Sequence, residues 1–165
     1  MPLALFAKPF ATGQITIDAA PDEAYRLISD PPAMALLGEE IVRVRWLDRA
    51  AVPAVGARFR GYNRNGPRRW ATDCRITDAD PGRRFAYDVA TPFRLPISRW
   101  EYDIVPDGDG CVVTETNWLR APLWFLPFAV LITGVLNRPG ANTEHIAVTL
   151  RRLKDRLEEG VSRSG

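Results

Sequence analysis

Gln14-Ile15-Thr16-Ile17-Asp18-Ala19-Ala20-Pro21-Asp22-Glu23-Ala24-Tyr25, running on through Leu27-Ile28-Ser29-Asp30-Pro31-Pro32, holds the signals that decide the fold. Ile15 and Ile17 alternate with Thr16 and Asp18, the period of a strand with one buried face, so a strand is expected over 14–19. Pro21 suits a first helical turn because the donor it lacks would be unpaired there. Asp22 and Glu23 favour the positive end of the helix dipole. Ala24, Leu27 and Ile28 then face inward, and Asp30-Pro31-Pro32 ends the helix. A second short helix is expected over 32–37, closed by Gly38.

Downstream lies a ladder of strands separated by turn clusters. Strands are expected over 41–47, 58–64, 70–78, 83–89, 98–105 and 111–118. Asn65-Gly66-Pro67 reads as a hairpin turn because Asn and Gly accept positive φ at little cost. Asp80-Pro81-Gly82 and Pro106-Asp107-Gly108-Asp109-Gly110 mark two further turns. Successive hairpins imply an antiparallel sheet of about seven strands.

At the C-terminus, Ile146, Leu150, Leu153 and Leu157 recur at helical spacing and form one apolar stripe. Arg151, Arg152, Lys154, Asp155, Arg156 and Glu158 cover the other face. Asn142 or Thr143 is the expected cap of this helix, with Arg138-Pro139-Gly140 as the break before it. Residues 121–137 carry no charge. A spanning helix needs ~20 apolar residues, and Pro127 and Gly134 interrupt this shorter run, so a buried or interfacial helix is expected. The fold class is α+β: a curved antiparallel sheet with a long helix across its concave side, leaving a space for side chains or a ligand.

At 165 residues the chain is the size of one domain, and 46% hydrophobic with 25% charged residues is ordinary for a globular protein. The net charge of +2 gives no strong field toward nucleic acid or anionic membrane. Cys74 and Cys111 are too few for a disulfide framework and read as reduced core thiols. Lys8 interrupts the apolar start, Met1 to Ala7, which has no preceding basic region and does not read as a signal peptide. Cytoplasmic residence is the expectation by elimination. A single histidine, His145, argues against transition-metal sites and His-based nucleophilic chemistry. With no phosphate loop or dinucleotide fingerprint either, no metal or cofactor is expected.

The opening stretch, together with Val55-Gly56-Ala57-Arg58-Phe59, Asp80-Pro81-Gly82-Arg83-Arg84-Phe85 and Val113-Thr114-Glu115, resembles the START-like, helix-grip superfamily. More narrowly it is similar to the bacterial polyketide cyclase/dehydrase-like branch. The likeness covers about residues 12–159, within a single domain of 1–165. It implies a deep cavity for hydrophobic or aromatic molecules, in a family of lipid carriers, polyketide aromatases and unassigned proteins. The proline-interrupted run at 123–136 departs from the family pattern at the cavity mouth.

Strand alternation sorts the candidate site. Trp100, Tyr102 and Ile104 lie opposite Arg99, Glu101 and Asp103, and Trp70, Thr72, Cys74 and Ile76 lie opposite Asp73 and Arg75. Phe85, Tyr87 and Val89 form another inward set, as do Phe59, Gly61 and Asn63. Trp70, Thr72, Tyr87, Trp100, Tyr102 and Asn63 are the candidate ligand-binding residues: apolar surface with a few polar tips. For Trp70, Trp100 or Phe85 taken singly, plain core is the favoured reading, while Asn63 is equally consistent with a turn-stabilising amide.

The last strand leaves two readings open. Val112, Thr114, Thr116 and Trp118 make one face, slightly favoured by hydrophobicity; Val113, Glu115 and Asn117 make the other. With the second face inward, Glu115 becomes a desolvated carboxyl and the leading catalytic candidate, with Tyr102 as a further proton-handling group. His145 reads as a boundary histidine, and the Arg clusters at 64–69 and 151–154 as a solvated hairpin tip and helix face, without nucleic-acid binding. The expected function is binding of one polyketide- or lipid-like molecule between sheet and helix. A cofactor-free cyclase or dehydratase is the alternative. Lipid transfer with membrane contact through 123–136 is another, by a monomer or homodimer.

Overall fold

Residues 8–49 and 51–164 are described by the computed structural model; the apolar start, Met1 to Ala7, lies outside them. The alternating segments become β1 (Ala11–Ile17), β2 (Ile41–Trp46), β3 (Arg58–Asn65), β4 (Arg68–Asp80), β5 (Arg84–Ala90), β6 (Pro96–Asp107) and β7 (Gly110–Leu119). They form one antiparallel sheet in the order β1-β7-β6-β5-β4-β3-β2. The first two strands therefore occupy opposite edges. The segment joining them carries α1 (Pro21–Ile28) and α2 (Pro31–Ala35) from one edge to the other. Asp30 serves both helices, ending α1 and capping α2 by accepting from the Ala33 N–H at 3.2 Å.

Register shifts between Ile41 and Arg43, between Ile76 and Asp78, and between Val89 and Ala90 bend the sheet. The second of these re-phases β4. Trp70, Thr72, Cys74 and Ile76 face inward as expected, and after the irregularity it is Ala79 that pairs with Phe85 and packs on the core. On the convex face, arginines tie strands together, Arg99 reaching from β6 across β5 to β4. Arg60 makes two bonds to Asp73, at 2.6 and 3.0 Å. Arg84 bonds Asp103 at 2.9 Å, and Arg99 bonds Asp78 and Thr77, both at 2.7 Å.

The terminal helix α4 (Arg138–Ser164) begins earlier than expected. Arg138-Pro139-Gly140 is not a break but its first turn, where Pro139 removes no donor that the helix needs. Asn137, not Asn142 or Thr143, accepts from the Gly140 N–H at 3.2 Å. Ile146, Leu150 and Leu153 are buried against β1. Gly13 provides the seat: a Cβ there would stand 2.7 Å from Ile146 Cγ2. Before α4, a 3-10 turn (Leu123–Phe125) and α3 (Leu126–Thr133) form from the uncharged run, ending at Gly134 with φ of 72°. No single described helix is long and apolar enough to cross a membrane, and α3 with α4 reaches that length only across a 60° bend.

Gly110, at the start of β7, passes so close to β1 that a Cβ would lie within 2.3 Å of the Ile17 carbonyl oxygen. Backbone cannot step aside as a side chain tip can. Gly110→Ala should therefore destabilise the protein by about 1–3 kcal/mol in urea unfolding. An unchanged midpoint would show that the β1–β7 junction is slack.

Candidate functional site

Sheet, α3 and α4 enclose a cavity of about 540 Å³. Its wall follows from the register. Asn63 pairs with Trp70, Gly61 with Thr72, Tyr87 lies across from Trp100, and Tyr102 across from Glu115. All of these line the cavity, with Phe10, Phe59, Cys74, Val89, Ile97, Phe125, Leu126 and Val130 among the apolar contributors. The Asn63 side-chain amide donates to the Thr72 hydroxyl at 3.4 Å, so it faces the cavity rather than the hairpin turn. Phe85 belongs to the solid core, packed edge-on to Tyr25 with centroids 6.4 Å apart.

The register also decides the face of β7. Val113, Glu115 and Asn117 point inward at 0, 3 and 1% exposure. Glu115 stands between Gly13 on β1 and Tyr102 on β6. The Tyr102 hydroxyl donates to Glu115 Oε1 at 2.7 Å, and Glu115 Oε2 has no hydrogen-bond partner. Burial, offset only in part by that bond, pushes the Glu115 carboxyl up to about 8. Burial likewise raises Tyr102 and Tyr87 well above the ordinary tyrosine range, with Glu115 adding to the Tyr102 shift. It also raises the Cys74 thiol, which leaves that sulfur unreactive. Cys74 and Cys111 are both buried and free.

Asn117 and Asn142 extend this polar floor. The Asn142 amide donates to Asn117 Oδ1 at 2.9 Å, and the Asn117 amide donates to the Arg99 carbonyl at 3.2 Å. Asn142 thus holds α4 to the sheet instead of capping it. The alternation of β7 points to Asn117, but the pairing with Asn142 depends on where α4 crosses and has no local signal.

At the mouth, Arg138 bonds both oxygens of Glu40, at 3.0 and 2.9 Å, and His145 Nε2 lies 3.4 Å from Glu39. His145 lines the cavity from this end, far in sequence from its acidic neighbour. The hairpin expected to be merely solvated grips α3. Asn65 donates to the Thr133 carbonyl at 2.8 Å and Arg68 to the Leu131 carbonyl at 3.2 Å, meeting the negative end of that helix. In the second Arg cluster, Arg152 donates to the Leu37 and Gly38 carbonyls, and Lys154 to the Thr16 carbonyl. Leu126, Ala129, Val130 and Thr133 of α3 face the cavity. Its other side leaves Phe128 and Leu131 exposed, at 54 and 71%, and the preceding 3-10 turn leaves Trp124 exposed at 65%. Among the described residues no group of three or more His, Cys, Asp or Glu could hold a metal.

The raised Glu115 has a consequence for stability. Between its ordinary 4.5 and about 8, the folded protein holds a proton that the unfolded chain has lost. Stability from this group is therefore complete below about pH 4.5 and lost as pH rises through about 8. Glu115→Gln cannot lose a proton, so it should gain on the parent by at most about 1.4 kcal/mol per pH unit across that window. Urea midpoints at pH 5, 7 and 9 test this, and parallel curves would place Glu115 in contact with water or a cation.

The same architecture recurs in solved structures. A Polyketide_cyc-like protein, Cgl2372, from Corynebacterium glutamicum is 24% identical over 94% of this chain and 96% of its own, with a TM-score of 0.64. The di-domain ARO/CYC StfQ from the steffimycin biosynthetic pathway is 18% identical over 92% of this chain and 51% of its own, with a TM-score of 0.70. DR_A0006 from Deinococcus radiodurans is 19% identical over 91% and 97% of the two chains, with a TM-score of 0.65. These likenesses concern the fold. No curated protein matches the sequence. The family described as polyketide cyclase / dehydrase and lipid transport matches residues 11–158. From that match across nearly its whole length, the chain belongs to the polyketide cyclase / dehydrase and lipid transport family.

Proposed function

We propose that this protein binds one hydrophobic small molecule, polyketide- or lipid-like, between the sheet and α4. The cavity carries this reading: at about 540 Å³ it lies within the usual range for small-ligand sites, and its apolar walls meet a small polar floor. Trp70, Tyr87, Trp100 and Tyr102 offer ring surface, and Asn63 and Thr72 orient polar atoms. Native mass spectrometry of protein purified from its own host, followed by solvent extraction, should reveal one adduct per chain. Trp100→Ala should weaken rebinding of that extract about two- to tenfold through lost ring contact. No adduct and no rebinding by the folded protein would remove the reading.

The Tyr102–Glu115 pair favours a second reading, a cofactor-free cyclase or dehydratase. A poly-ketone held in a folded pose gains from proximity, and a carboxyl poised near neutrality can give or take the proton of a carbonyl carbon's neighbour. Under this reading Glu115→Gln lowers the rate of ring formation at least a hundredfold with binding kept. An unchanged rate takes Glu115 out of the chemistry. The outer side of α3 supports membrane contact during ligand exchange. Flotation with phosphatidylcholine vesicles checks this, and no association at low or high salt would dismiss it.

A further inference from the structure

A buried carboxyl and a buried hydroxyl share one hydrogen bond at the cavity floor, and their hydrogens can be counted. Tyr102 brings one O–H. Glu115, when neutral, brings another. Their mutual contact uses one of the two, so one O–H is left over. With Tyr102 donating to Oε1, the spare hydrogen sits on Oε2, the oxygen that has no partner. With the bond reversed, it emerges on the Tyr102 hydroxyl. Both residues line the cavity. When Glu115 is ionised the count changes: one hydrogen, one bond, nothing spare.

The surroundings favour the neutral state. Tyr102 on β6, Tyr87 on β5 and Cys74 on β4 are the titratable groups facing the floor from the sheet, and β1 offers only Gly13. From α4 come Asn142, His145 and Thr149; α2 and α3 line the cavity without charge. The basic residues that line it, Arg138 and His145, are at the mouth against Glu40 and Glu39. None of these supplies positive charge beside Glu115.

From this count we propose that the Tyr102–Glu115 pair is the specificity element of the cavity. It gives its spare O–H to a neutral acceptor oxygen, such as a ketone or ester carbonyl, on an otherwise apolar ligand, and it turns away carboxylates. The proposal rests on the binding reading above and narrows it. A carbonyl oxygen satisfies the left-over donor and needs no counter-ion. A carboxylate would have to shed its water with no cation to meet it.

Three naphthalenes of similar shape test it: 2-acetylnaphthalene, 2-ethylnaphthalene and 2-naphthoate, titrated by calorimetry against the whole protein. At pH 6.5 the ketone should bind about five- to tenfold more tightly than the ethyl compound, and the carboxylate most weakly. At pH 9.5 the advantage of the ketone should vanish. Glu115→Gln should keep that advantage at both pH values, because an amide N–H replaces the O–H. Tyr102→Phe combined with Glu115→Leu removes both O–H groups and should lose the ketone preference at both pH values. The proposal is overturned if the carboxylate matches the ketone at pH 6.5, or if the ketone preference in the parent survives at pH 9.5. Should that double variant fail to fold, the pH comparison on the parent and Glu115→Gln decides. If the ethyl compound binds without any ketone preference, the specificity proposal fails and the binding reading stands. If none of the three binds, the specificity proposal fails and the adduct measurement above decides the binding reading.

Discussion

One helix cannot cover seven strands. Strands spaced ~4.8 Å apart make a sheet roughly 29 Å across, and a helix with its side chains is ~10 Å wide. Here α4 settles over β1 and β7 at one edge, seated on Gly13 and held by Ile146, Leu150 and Leu153. The inner faces of β3 to β6 are left for other cover. The bend of the sheet and the short α3 close over them without filling the volume. The cavity is thus a remainder of packing geometry, and the large rings of Trp70, Tyr87 and Trp100 narrow it without closing it.

Strand faces were legible because period-two alternation survives any tertiary arrangement. Arg99, Glu101 and Asp103 can only lie outside, so Trp100 and Tyr102 lie inside. The expectation of an antiparallel sheet followed by one long helix came from the order of turns and strands, the helix-grip name from the resemblance, and both agree with the observed topology. On β7 local hydrophobicity could not choose, since threonines and a tryptophan compete with an acid and an amide. Only pairing to Gly13 and Tyr102 selects the face that carries Glu115. The start of α4 is not legible locally because Pro139 reads as a breaker in the middle of a pattern and as a helix former in the first turn. Asn117 with Asn142, and Asn65 with Thr133, join residues whose nearness is set by helix placement, which no window of sequence contains.

The convex face shows why so many of the cations are arginine in a useful sense. Twenty of the 22 basic residues are Arg, Lys8 and Lys154 being the exceptions. Arg60, Arg84 and Arg99 each reach across strands to carboxylates with planar, multi-point geometry. Such exposed pairs add little stability singly. They do keep the outer surface charged and ordered, so the apolar face of the sheet has one direction in which to turn.

The hold of the β3–β4 turn on α3 carries a kinetic implication. Asn65 and Arg68 grip only the last carbonyls of that short helix, and its N-terminal side joins the sheet through a brief connection after Leu119. Releasing two such bonds and one apolar face costs far less than parting any strand. Under the proposed binding reading, exchange of a molecule with the interior would run on the clock of this local opening, uncoupled from the slow clock of unfolding, and its residence time would depend on two side chains of a hairpin.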